Sequence, residues 1–225
     1  MKVSLRIQQL STMVHGHYTH IWDCCCDHGL LGQLLLERGR ADCVHFVDVV
    51  PALMNTLEHH LQQDYGDRRW QVHCLDVARL PLSRYAGAGE PQLVMIAGVG
   101  GDLLVDLVTA ICQAHPEVPV EFLLCPVYHN YKVRRALADL SLGLISETLV
   151  EDKQRFYEIL HVASAGGDPV SPVGERMWDF TDTVHRAYLQ QTLNHYRRMA
   201  SNPHQDVSAE LQAYQRLEPA FLPLK

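Results

Sequence analysis

The sequence predicts an α/β fold: a mostly parallel sheet with helices on both faces, closed by an antiparallel hairpin and followed by a pair of helices. Three observations carry this. Short apolar runs alternate with amphipathic segments from residue 20 to residue 140, the pattern of a parallel sheet with crossover helices. Leu144–Val150 and Arg155–Ala163 then flank the turn residues Glu151-Asp152-Lys153-Gln154, which reads as a hairpin. Beyond a Gly- and Pro-containing linker over 165–174, Met177, Phe180, Val184, Tyr188, Thr192, Tyr196 and Met199 recur every three or four residues, a helical stripe.

The elements follow in order. Leu5, Ile7, Leu10 and Val14 give a short amphipathic helix over 2–14. His20–Cys24 is a strand, and Gly29 opens the helix after it. Cys43–Asp48 is the second strand. Pro51 stands where the next helix needs no amide donor, and that helix runs to about Gln63. Trp70–Cys74 is the third strand. Gln92–Ala97 is uninterruptedly apolar apart from its first residue, as expected of a strand buried on both faces. Gly98–Gly101 turns into a helix over 102–114, Val120–Cys125 is the fifth strand, and a helix near 130–140 precedes the hairpin. In the C-terminal part, Ser201-Asn202-Pro203 breaks the stripe, and Val207, Leu211, Tyr214 and Leu217 resume it. This predicts two antiparallel helices sharing one apolar seam. The organisation is therefore a body over 1–164, a linker over 165–174 and a helical appendage over 175–225.

Composition narrows the function. The chain has 225 residues, 47% hydrophobic and 20% charged, which is globular. No apolar run approaches the roughly 20 residues of a membrane helix, and Met1–Gln9 lacks the apolar centre of a secretory signal, so a cytoplasmic protein without membrane contact is expected. The seven cysteines are scattered, with no Cys-x-x-Cys pair, as in a reduced protein with buried thiols. The net charge of -7 falls almost wholly on residues 1–164. That excludes a generic polyanion binder and leaves nucleic acid only local patches.

The most informative segment is Trp22-Asp23-Cys24-Cys25-Cys26-Asp27-His28-Gly29, which leaves a strand and enters a helix. Ligands of open α/β sheets bind at such strand ends. A pyrophosphate needs G-x-G-x-x-G there, whereas this turn offers Asp23, Asp27 and the single tight-turn glycine Gly29. Carboxylates repel a pyrophosphate and suit a cofactor with an amino group and a sulfonium, namely S-adenosylmethionine. Asp48, with Val49 beside it, ends the second strand 25 residues after Asp23, where an acid can hold a ribose diol. Asp76, followed by Val77, lies just past the third strand, where an acid can accept from an adenine amino group. Ala97-Gly98-Val99-Gly100-Gly101 ends the fourth strand without the Asn/Asp-Pro-Pro-Tyr of many base-amine methylating enzymes, and its glycines allow a substrate or the methionine part of a cofactor to approach the backbone.

Three other patterns are set aside. Three consecutive cysteines on a strand point to alternating faces and cannot close one tetrahedral site. His15, His17 and His20 have no acid or cysteine beside them in sequence, so no metal is expected. Tyr128-His129-Asn130-Tyr131-Lys132 has the Tyr-x-x-x-Lys spacing of short-chain dehydrogenases, but the glycine-rich turn they need is missing.

The chain resembles the bacterial tRNA (adenine-22-N1)-methyltransferase family (TrmK), a class I, Rossmann-like methyltransferase family, from about Leu5 to Ser164. The resemblance rests on Arg6, Asp23 with Asp27-His28-Gly29, Ala97–Gly101, Pro126 followed by Tyr131-Lys132-Val133-Arg134, and Asp152-Lys153 with Phe156-Tyr157-Glu158. The family typically reads Asp-Ile-Gly-Ser-Asp-His at the first turn, so Cys25 stands at its glycine. It typically reads Gln-Pro-Asn where this chain has Cys125-Pro126-Val127.

The resemblance implies S-adenosylmethionine as cofactor, tRNA as partner and an adenine N1 as the methylated atom. Asp27 is then the catalytic candidate, with His28 placing it or contacting the base, and Phe156 or Tyr157 stacks an extruded base. Arg6, Lys132, Arg134, Arg135, Lys153, Arg155, Arg197 and Arg198 are the RNA-contact candidates. A methyltransferase of a small molecule or protein, and a silent binding protein of this fold, are the alternatives. The sequence leaves a monomer and a dimer through the C-terminal helices equally open.

Overall fold

The computed structural model describes residues 3–66, 69–87 and 89–221. An eight-stranded sheet runs in the order β3-β2-β1-β4-β5-β7-β6-β8. Its strands are β1 Tyr18–Cys24, β2 Ala41–Asp48, β3 Trp70–Cys74, β4 Gln92–Ala97, β5 Val120–Cys125, β6 Gly143–Asp152, β7 Arg155–Ala163 and β8 Asp168–Pro169. The first five are parallel to one another. β7 inserts antiparallel between β5 and β6, as the predicted hairpin requires. The helices are α1 Leu5–Met13, α2 Leu30–Glu37, α3 Pro51–Tyr65, α4 Gly101–Ala114, α5 Asn130–Asp139, α6 Thr183–Ala200 and α7 Ser208–Gln215.

The chain reverses its direction of growth along the sheet between β1 and β4. At that switch point the carboxyl ends of two neighbouring strands diverge and leave a crevice. Residue alternation sends Ile21, Val44, Phe46, Leu93 and Met95 to the face covered by α1, α2 and α3. Trp22, Val47, Val94 and Ile96 go to the other face, under α4 and α5. The latter face also carries a row of rings. His45 of β2 stacks on Trp22, with centroids 3.8 Å apart. It also meets His20 of β1 and His73 of β3, each through a 3.0 Å nitrogen–nitrogen contact.

Local signals explain the helix starts. The Ser4 hydroxyl accepts from the Ile7 amide and caps α1. Pro51 opens α3, and the Asp182 carboxylate accepts from the Val184 amide to cap α6. The expected start of the first helix at residue 2 and the last four residues of the appendage lie outside the described residues.

The C-terminal part departs from expectation in three ways. The linker is not featureless, because Asp168–Pro169 pairs with Gly143–Leu144 and adds an edge strand, a place where proline is tolerated. α6 begins at Thr183 rather than near Met177. Asp179 accepts from the Thr181 amide and hydroxyl, and such local bonds compete with helix formation. Finally, the apolar stripe serves more than one seam. Tyr196 stacks on Tyr214 between α6 and α7, but Tyr188, Leu193 and Tyr214 also bury against Met177, Trp178, Tyr131 of α5 and Leu149 of β6. The helical pair is thus cemented to the sheet's hairpin edge.

Beneath that joint lies a buried ionic network. Arg134 of α5 donates through Nε to Glu158 and through Nη1 to Glu147, both at 2.6 Å, and all three side chains are fully buried. The other Glu147 oxygen accepts from the amides of Glu175, Arg176 and Met177. Tyr188 donates to Glu158 and accepts from Asn130. Arg134 was expected to meet a phosphate; the structure corrects this, because a side chain with no exposure and two carboxylate partners cannot reach RNA.

Candidate active site

The crevice at the ends of β1 and β4 forms a cavity of 720 Å³, closed on one side by the first turn of α1 and on another by the β6–β7 turn. Asp23 is at its base. The side chain is buried, and its Oδ2 accepts from the Gly32 amide at 2.8 Å. Gly32 permits that contact: a Cβ there would stand 2.4 Å from the Phe46 ring, so any larger residue would push α2 off the strand. Burial raises the Asp23 carboxyl to about 7, against the opposing Gly32 hydrogen bond. A carboxylate so placed, with one amide donor, is matched to a cationic ligand group.

The turn after Asp23 is unusual. Cys25 and Asp27 adopt φ of 53° and 51°, the left-handed region that favours glycine, and Gly29 follows at 66° as the N-cap of α2. Burial raises the Cys25 thiol to about 11, and Asp48, Asp23 and Asp76 push it the same way. All three strand-end acids thus act electrostatically on this turn. Cys25→Gly is expected to change stability by less than about 1 kcal/mol. Relief of left-handed strain, about 1–2 kcal/mol, opposes the roughly 0.5–1 kcal/mol chain-entropy cost of glycine and the lost thiol packing. Equilibrium urea unfolding measures this, and a loss above 2 kcal/mol would contradict it.

Asp48 braces the loops. One oxygen accepts from the amides of Val49 and Val50, and the other from the Asp27 amide. Of the roughly four acceptor positions of a carboxylate, Oδ1 uses two on these amides and Oδ2 one, so one position on Oδ2 remains for a hydroxyl. Asp76 accepts from the Ala78 amide. Val49 is exposed, whereas the Val77 side chain is buried in the core; only the backbone of Val77 can face a ligand. Asp48 and Asp76 do not line the 720 Å³ cavity.

Asp27 and His28 stand at the mouth, 3.6 Å apart and about two-thirds exposed. Tyr157 lines the wall, and the Arg6 guanidinium lies over its ring at 4.8 Å. Phe156 points to the opposite face and packs on Tyr188, centroids 5.6 Å apart, so of the two aromatic candidates only Tyr157 borders the cavity. Arg6, Lys153 and Arg155 line the same cavity. Ala97 and Gly98 complete it, with Gly98 at φ 83°.

The next two glycines have a different use: a Cβ on Gly100 would lie 2.3 Å from the Tyr128 hydroxyl, and one on Gly101 would lie 2.6 Å from the Tyr128 carbonyl oxygen. They let the loop after β5 close on the loop after β4, and need no ligand to explain them. Lys132 is paired with Asp102 at 2.6 Å on the surface. Arg135 is exposed on α5. Arg197 pairs with Glu218, and Arg197 and Arg198 border an open groove along α6 with Gln191, Asn194 and Ser201.

Sequence reasoning did not single out Ser4, Ile7, Leu30 and Leu31, which line the cavity, and used Asp152, which also lines it, only for the family resemblance. The docking of α1 over the crevice is what brings the first two in. Of the family departures, Cys125 is fully buried on the α1 side, its thiol raised to about 12 by burial although Arg6 pulls it down; Val127 is exposed.

Residues 3–160 match the family described as Methyltransferase domain. Comparison with curated proteins returns no match. Among solved structures, M. capricolum TrmK in complex with S-adenosyl-homocysteine is similar over 99% of this chain and 100% of its own, at 10% identity and a TM-score of 0.77. A Streptococcus pneumoniae protein assigned as a tRNA (m1A22) methyltransferase, bound to S-adenosyl-L-methionine, is similar over 96% and 99%, at 19% identity and 0.74. The B. subtilis M1A22 tRNA methyltransferase TrmK is similar over 98% and 96%, at 18% identity and 0.66. At these identities the likeness establishes a shared fold, one that includes the appendage.

Proposed function

Because this chain belongs to the methyltransferase domain family, we propose that it methylates N1 of an adenine in tRNA, at position 22, with S-adenosylmethionine as the methyl donor. The supporting observation is the polarity of one cavity, with the buried Asp23 at its base and Arg6, Lys153 and Arg155 around its walls. The acid suits a cationic cofactor, and the cations suit the phosphates of a nucleic acid. The neighbouring structures that carry this cofactor or its product, and their tRNA substrates, support the same reading.

When bound, S-adenosylmethionine supplies an electrophilic methyl group on a positive sulfur. Asp23 would hold its amino group, the free acceptor position of Asp48 a ribose hydroxyl, and Asp76 with the Val77 backbone its adenine end. Adenine N1 carries its own lone pair, so the protein needs no strong base before attack; its main contribution is alignment. Asp27 Oδ1 is placed to accept from the exocyclic amine of the target base and to stabilise the positive ring that methylation creates. Tyr157 offers a wall for the base, while Lys153 and Arg155 on the β6–β7 turn hold flanking phosphates.

The test is methylation of unmodified tRNA with labelled S-adenosylmethionine, followed by nucleoside mapping. The expected result is 1-methyladenosine, lost when the adenine at position 22 is replaced by guanine. Lys153→Ala with Arg155→Ala is expected to lower kcat/KM for tRNA at least tenfold and to flatten its salt dependence, leaving cofactor affinity unchanged. Label transferred to protein or small molecules, with tRNA untouched, would favour the alternative substrates.

A further inference from the structure

We propose that His20, Cys43 and His45 form a binding site for one Zn²⁺ ion, away from the methyl-transfer cavity. The strand register pairs His20 of β1 with Cys43 of β2, and His45 lies two residues further along β2 on the same face. One ligand atom from each residue lies within 4.8 Å of the other two. His20 Nδ1 and His45 Nε2 are already 3.0 Å apart. Tetrahedral zinc, with Zn–N about 2.0–2.1 Å and Zn–S about 2.3 Å, separates its ligand atoms by about 3.3–3.6 Å. The two rings therefore need to part by about 0.3 Å, and the Cys43 thiol to turn inward by no more than about 1.5 Å.

The surroundings are those of a held ligand. His45 is clamped against Trp22, and its other ring nitrogen is 3.0 Å from His73 Nε2, the outer-shell contact that orients metal-bound histidines. The Tyr85 ring packs edge-on against both His20 and His45. His20 is half-buried, so water can reach the ion and fill the fourth position. None of the three residues lines the methyl-transfer cavity, which gives the ion a structural role, tying β1 to β2. On binding, the Cys43 S–H bond breaks, its electron pair goes to the metal, and the proton leaves to solvent. A chain of hydrogen-bonded neutral imidazoles would explain the histidine contacts alone, but it leaves Cys43 without a part.

Cobalt(II) tests the proposal with a readout independent of activity. The full chain, stripped with a chelator under reducing conditions, is titrated with Co²⁺. The expected result is one equivalent bound, a tetrahedral visible spectrum, a thiolate-to-cobalt charge-transfer band, and displacement by Zn²⁺. Cys43→Ser is expected to abolish the charge-transfer band while S-adenosylmethionine binding persists, and His73→Ala to weaken metal affinity by about 10–100-fold. Should Cys43→Ser not fold, His20→Gln at the half-buried position provides the second variant, with loss of the tetrahedral spectrum expected. Absence of the cobalt band in the unaltered protein overturns the proposal. So does a band that survives Cys43→Ser, or an unchanged spectrum in His20→Gln.

Discussion

Replacing Arg134 with alanine is expected to destabilise the protein by about 3–5 kcal/mol and to loosen the helical appendage from the sheet. The guanidinium is the shared partner of two carboxylates, and none of the three side chains has any exposure. Removing it strands two buried acids, the costly half of a buried ion pair. Burial alone would push Glu147 up, but Arg134 beside it and the amides of Arg176 and Glu175 outweigh that and hold it below its ordinary value. A carboxylate with a depressed folded pKa contributes stability above its unfolded pKa and loses it as the pH falls through the folded value. The network should therefore weaken below about pH 4.5, and the acid sensitivity attributable to it should be missing in Arg134→Ala. Because Glu147 also holds the amides of residues 175–177, proteolysis of the variant should begin between residues 164 and 182. Urea unfolding with a loss below 1 kcal/mol would show that the network is not what docks the appendage.

Asp23→Asn is the second large effect, with opposite signs for binding and for stability. Asparagine keeps an oxygen for the Gly32 amide but cannot pair with an ammonium group. A charge-assisted hydrogen bond of about 1.5–3 kcal/mol corresponds to a loss of roughly 10–100-fold in S-adenosylmethionine affinity. The folded protein without ligand should respond the other way. Its Asp23 carboxyl is raised by burial from 3.8 to about 7, so the stability linked to its protonated form is complete below pH 3.8 and lost as the pH rises through about 7. At pH 8 the unaltered protein bears that cost and the variant does not; the gain is up to about 4 kcal/mol and shrinks to nothing in acid.

Cofactor affinity of the unaltered protein should also fall below about pH 7, by up to about tenfold per pH unit, because binding must expel a proton. The variant should show a flat profile there. Calorimetry at pH 6 and 8 measures both, and an Asp23→Asn protein with undiminished affinity would remove Asp23 from the cofactor site.

How much of this was legible in the sequence depended on the range of the interaction. The parallel strands were readable because burial on both faces leaves runs such as Leu93–Ile96 without polar interruption, and the hairpin because turn residues sit between two alternating strands. The strand-end acids were readable because position at a strand's carboxyl end is a local property. Arg134 was misread as an RNA contact. The other basic residues beside it on α5, Lys132 and Arg135, are exposed, and nothing in the local sequence shows that Glu147 and Glu158, 13 and 24 residues later, close around it. Phe156 and Tyr157 were indistinguishable as neighbours until the pleat sent one to the appendage and the other to the cavity.

By itself the sequence determined the order of strands and helices along the chain and the acid-lined first turn, because both follow from periodicity, turn chemistry and spacing within a few residues. Only the tertiary structure decided that α1 roofs the cavity, that the stripe of the appendage locks onto α5 and the hairpin, and that His20 faces Cys43 and His45 across two strands. Those arrangements depend on which surfaces bury one another at long range, and charge or polarity at a single position does not reveal its partner until the sheet register has been set.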